Sequence, residues 1–102
     1  MASLEQLSDD LWNGKTSTHD KDHHPFVSLN RTEEVADGVA FYKGFSNITA
    51  VNTADGAVLI DTGSFHPVAH KRSFESIRGW TPNRINTAIY THGHVDHAYG
   101  LP

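Results

Sequence analysis

The run Tyr90-Thr91-His92-Gly93-His94-Val95-Asp96-His97 constrains this chain more than any other segment. Three imidazoles and one carboxylate stand in six consecutive positions, directly after a stretch, Ile85 to Tyr90, that reads as a strand. His and Asp side chains with room left for water are what a hydrolytic zinc site requires. A strand opening into a loop presents alternate side chains to one side, so His92 and His94 aim at one point. Gly93 between them removes bulk and lets the backbone bend. Asp96 and His97 are adjacent and cannot serve one face of a straight strand. They require a turn, which carries them to a second point close by. The spacing therefore suggests two neighbouring metal ions, one on His92 and His94 and one on Asp96 and His97. Neither pair fills a shell of four, so further ligands are expected from outside this sequence, which ends at Pro102.

Composition narrows the alternatives. The sequence has 102 residues, which suits one small domain or part of a larger one. A net charge of -4 gives no basic footprint, so no nucleic-acid partner is expected. There is no Cys, which excludes a disulfide scaffold and any thiolate metal site. The eight His equal Lys plus Arg in number, an enrichment that calls for a reason. No apolar run approaches the ~20 residues of a membrane span, and Met1 to Leu11 does not read as a secretory signal, so no membrane partner is expected and the cytoplasm is the default location.

The chain divides into an N-terminal helix and polar arm, residues 1–33, and a structured part, residues 34–102. Ser3 to Gln6 reads as a capping box, with Gln6 reaching back, and Leu4, Leu7 and Leu11 form a narrow apolar stripe behind it. Asn13 to Pro25 is polar and without period. Its His19, His23 and His24 read as a solvated loop that binds metal at most adventitiously. Val35 and Val39 to Tyr42 read as a strand interrupted at Asp37-Gly38, and Ser46 to Thr53 as the next. Ala54-Asp55-Gly56 is a hairpin signal. Ala57 to Ile60, continuously apolar, reads as a buried strand that breaks at Asp61-Thr62-Gly63.

Pro67 opens a helix and Gly79 is expected to stop it, with Val68, Phe74 and Ile77 roughly on one face and Lys71, Arg72, Glu75 and Arg78 on the other. His66 and His70 read as a surface pair. Trp12 and Trp80 read as packing anchors, and Phe41, Tyr42 and Phe45 as sheet core or edge rather than a substrate box.

With these elements in place, His92-x-His94-x-Asp96-His97 resembles the signature of the metallo-β-lactamase fold hydrolases. Asp61-Thr62-Gly63 at the end of a buried strand looks like that superfamily's earlier motif, and one helix and one strand between the two motifs is similar to the family spacing. The likeness covers about Val35 to Gly100. Ser46-Asn47-Ile48 together with Tyr90 to Gly100 looks most like the alkyl-sulfatase-like branch, with one departure: Tyr99-Gly100 stands where many members have Gly-Gly.

The resemblance implies an α/β fold, the N-terminal half of an αββα sandwich with metals at one edge of the sheets. It assigns His92 and His94 to a first zinc ion, Asp96 and His97 to a second, and Asp61 to fixing the metal-binding loop. Asp96 is also expected to orient the attacking water as a catalytic residue. The family's remaining ligands, a His, a bridging Asp and a final His, lie well downstream and none is assignable here. A small-molecule ester is the implied substrate: a sulfate ester first, then a thioester, lactone or phosphodiester. The competing expectation is a catalytically silent fragment that only binds metal weakly. A half-sandwich leaves Val58, Ile60 and Ile89 partly exposed, so self-association, or completion by a C-terminal half, is expected.

Overall fold

A computed structural model describes residues 2–24, 26–64 and 66–98. The departure at Tyr99-Gly100 lies outside the described residues. Helix α1 (Leu4–Trp12) is followed by an irregular arm and then by four strands, β1 (Arg31–Ala36), β2 (Val39–Lys43), β3 (Ile48–Thr53) and β4 (Gly56–Ile60). Helix α2 (Pro67–Trp80), strand β5 (Ile85–Ile89) and a single helical turn, α3 (Val95–Ala98), complete the order. The sheet runs β1-β2-β3-β4-β5. Its first three pairings are antiparallel, and β5 lies parallel to β4. A parallel neighbour needs a crossover, and α2 provides it. This is the expected α/β architecture.

Alternation in β2, β3 and β4 divides the sheet into two faces. Tyr42, Ile48, Ala50 and Leu59 are buried together with Ile77 of α2, and Trp80 and Ile85 pack against them. Burying side chains such as Leu59 and Ile77 stabilises the fold by roughly 1.5–3 kcal/mol each. The register pairs Phe41 with Thr49, Thr49 with Ile60, Ile60 with Ile89, and Val51 with Val58. These residues make up the opposite face, where Val58 and Ile60 are half-buried and Ile89 is 52% exposed.

Several expectations are corrected by packing. Val35 and Val39–Tyr42 are not one interrupted strand. Ala36 pairs with Val39 across Asp37-Gly38, and Gly38 at φ 70° closes a hairpin that begins three residues early, at Arg31. Helix α2 does not stop at Gly79. It continues to Trp80 and is capped by extended Thr81, because the Trp80 ring packs on the core and its Nε1 donates to Glu34 Oε2 at 2.7 Å. Ile77 is buried as expected, but Val68 is 53% exposed, and Ser73 is the other buried position of α2. Trp12 is 91% exposed and anchors nothing, and Phe45 is exposed in the loop between β2 and β3 rather than seated in the sheet. His70 is half-buried against Phe74, with ring centroids 5.1 Å apart, so it is not a surface partner of exposed His66.

At the N-terminus, Ser3 Oγ accepts from Gln6 N as a cap, but Gln6 Nε2 donates to Asp10 Oδ1 rather than reaching back. Helix α1 is tied to the sheet edge through Leu4 N, which donates to Glu33 Oε2 at 2.8 Å, and through Arg31 Nη2, which donates to Ala2 O at 2.7 Å. Among the described residues, no helix is long and apolar enough to cross a membrane.

Candidate metal centre

The candidate site forms where the ends of the parallel pair β4 and β5 meet α3. At Asp61 the chain leaves β4 with φ 60°, a left-handed conformation that Asp tolerates better than most residues. Asp61 N donates to Ile89 O at 2.8 Å, closing the strand pair. Gly63 follows at φ 80°, where a Cβ would come within 3.2 Å of Ile48 Cδ1. Its absence lets this loop lie against the core and bridge to Ala98.

Asp61 is buried and its carboxylate is fully engaged. Oδ1 accepts from Thr91 N at 2.8 Å, Oδ2 accepts from Thr91 Oγ1 at 2.8 Å, and His97 Nδ1 lies 2.9 Å from Oδ2. Burial pushes the Asp61 carboxyl up. The Thr91 amide, the His97 ring and the Thr91 hydroxyl together outweigh burial and hold it below the ordinary carboxylate value. The residue thus stays ionised and clamps both ends of the His-rich loop.

The turn required after His94 is α3, in which His97 N and Ala98 N both donate to His94 O, at 3.0 and 3.1 Å. Gly93 plays no visible part in it. A Cβ there would meet no atom within 4 Å, and its φ is not positive. Thr62 N donates to His97 O at 2.8 Å, and Ser46 Oγ donates to Asp96 O. Two loops distant in sequence therefore fasten α3 from below.

These constraints bring all four motif side chains into one knot. The rings of His92 and His97 are 4.1 Å apart between centroids, and those of His92 and His94 4.7 Å. His97 Nε2 lies 3.3 Å from Asp96 Oδ2. His92 Nδ1 lies 2.9 Å from Thr91 Oγ1. The two pairs read from the spacing adjoin each other through the His92 and His97 rings. Among the described residues, no group of three or more His, Cys, Asp or Glu side chains is disposed around one point where an ion fits, and that includes His19, His23 and His24. The donor types suit zinc; their present arrangement does not complete a shell.

Three contributors were not legible as site residues. Thr91 spends both its amide and its hydroxyl on Asp61. Ser46 stood in a recognised sequence context, but nothing there indicated its bond to α3. Phe26, from the arm, stacks with Phe45 at 5.1 Å and lines a cleft that also borders Asp96 and His97.

The fold has a counterpart among solved structures. The structure is similar to the crystal structure of BJP-1, a subclass B3 metallo-beta-lactamase of Bradyrhizobium japonicum. The TM-score is 0.60 and the identity 17%, over 76% of this chain and 30% of that one. The likeness is one of fold, and this chain spans 30% of that protein's length. A family model for the Metallo-beta-lactamase superfamily matches residues 41–102, more than half of the chain and all four motif residues. The chain belongs to the metallo-beta-lactamase superfamily.

Proposed function

We propose that this chain carries the N-terminal share of the metal centre of a metal-dependent hydrolase. The observation that carries the reading is the convergence of His92, His94, Asp96 and His97 on one knot clamped by ionised Asp61. His92 and His94 would hold one zinc ion, and Asp96 and His97 a second. When bound, such ions supply Lewis-acid polarisation of the scissile group and lower the pKa of a water to about 7.

The chain's own residues have separate tasks. Asp61 occupies His97 Nδ1 and so leaves Nε2 to face the site. Thr91 fixes the strand end from which His92 and His94 project. Asp96, half-buried beside His97, orients the attacking water. Sulfate ester hydrolysis is the first substrate class, on the resemblance carried by Ser46-Asn47-Ile48 and the histidine motif. Thioester, lactone and phosphodiester cleavage follow.

A second reading, a silent fragment that binds metal weakly, is favoured by one observation: four donors cannot fill two shells, and no three of them surround one point. The test is hydrolysis of 4-nitrophenyl sulfate and a thioester with added zinc. Residues 1–102 alone are expected to turn over negligibly. In a chain that supplies the missing ligands, Asp96→Ala or His97→Ala abolishes turnover while the circular dichroism spectrum is unchanged. Full activity of both variants there would sink the hydrolase reading.

A further inference from the structure

We propose that Phe26 and Phe45 form the seat for the apolar group of the substrate, with Phe26 a specificity-determining residue contributed by the N-terminal arm. The inference rests on the hydrolase reading and names the part of the substrate that this chain selects. A cleft of about 400 Å³ lies on the sheet face away from α2. That volume falls within the range of small-molecule sites. The cleft's apolar lining is Phe26, Phe45 and the half-buried Ile60. Its polar lining includes Asp96 and His97 of the knot. A cleft lined by both suits a molecule with a compact polar head and an alkyl or aryl tail.

The aromatic wall is built. The two rings stack at 5.1 Å between centroids and 31° between planes. They come from segments far apart in sequence, the arm and the β2–β3 loop. Phe26 is held in place locally: its amide donates to His24 Nδ1 at 3.1 Å, Val27 N donates to His24 O at 2.9 Å, and the His24 ring sits 5.3 Å from the Phe26 ring. Yet both Phe rings remain exposed, 61% and 54%. Two aromatic rings paired with each other, open to solvent and bordering the candidate metal ligands, offer apolar surface that a ligand can cover. Phe26 precedes residues 41–102, so the family likeness does not assign it a role.

The experiment measures binding of methyl, butyl and hexyl sulfate by calorimetry, with and without zinc. Affinity is expected to rise about twofold per methylene, short of the roughly fourfold of full burial, because the tail covers rings that stay open to solvent. Phe26→Ala should reduce that rise, lowering hexyl sulfate affinity on the order of fivefold while leaving methyl sulfate unchanged. Phe26→Leu should retain part of the rise. Trp12→Ala removes a still more exposed ring elsewhere and should change nothing. Affinity that does not rise with tail length, or a rise that Phe26→Ala leaves undiminished, overturns the proposal. The zinc arm reads the other question: methyl sulfate binding indifferent to zinc counts against the hydrolase reading and leaves the tail-length comparison standing. Thermal melts of each variant exclude unfolding as the cause.

Discussion

Asp61 and His97 stand 36 residues apart in the chain, and Asp61 Oδ2 lies 2.9 Å from His97 Nδ1. The contact joins the end of β4 to α3, and Thr91 completes it from the end of β5. One carboxylate therefore holds together the segments that carry the histidine motif.

Asp61→Ala is expected to destabilise the fold by about 3 kcal/mol, since it leaves three donors without their acceptor and puts Ala at a positive φ. Asp61→Asn keeps the shape and tolerates the backbone, so about 1 kcal/mol is expected. Urea unfolding at fixed protein concentration measures both. Equal stability of the Ala variant and the parent would show that the clamp contributes nothing.

Zinc binding should depend on the knot rather than on the arm. Replacing His92 and His94 with Ala is expected to weaken zinc binding at least about tenfold, because each zinc shell draws on imidazole donors. Replacing His19, His23 and His24 should have little effect. Titration calorimetry that gave the opposite order would move the site to the arm.

Tyr42 provides a pH test away from the site. Burial in the core raises its hydroxyl above the ordinary value of 10.0, with Arg72 opposing weakly, and the hydroxyl donates to Asn30 Oδ1 at 3.0 Å. A folded pKa raised above the unfolded one means the stabilising contribution is intact below pH about 10 and is lost as pH rises through the folded value. Alkaline unfolding should therefore shift to higher pH in Tyr42→Phe. An unshifted midpoint, followed by circular dichroism, would exclude Tyr42 as the titrating group.

Val58, Ile60 and Ile89 lie on the sheet face opposite α2, and Ile89 is on the edge strand β5. Exposed apolar surface beside an unpaired strand edge favours association. Sedimentation velocity of residues 1–102 is expected to show concentration-dependent self-association, and Ile89→Lys should shift the distribution towards monomer. A parent chain that remains monomeric at all concentrations would contradict this.

Much of the frame was legible because it is encoded locally. Alternation in Val39 to Thr53, the turn residues Asp37-Gly38 and Ala54-Asp55-Gly56, and Pro67 at a helix start each state a preference within a few residues. The histidine motif likewise states its donor types and its need for a turn. What the sequence left open was decided by contacts between distant segments. Trp80 carried α2 past Gly79 because a ring on the core and a bond to Glu34 outweigh the helix-breaking preference of glycine. Val68 faces outward while Ser73, a small polar residue, is buried in the same helix as Ile77. The Asp61–Thr91–His97 clamp and the Phe26–Phe45 wall exist only once the sheet is assembled. Local patterns choose elements one by one, whereas side-chain packing between them decides which residues meet.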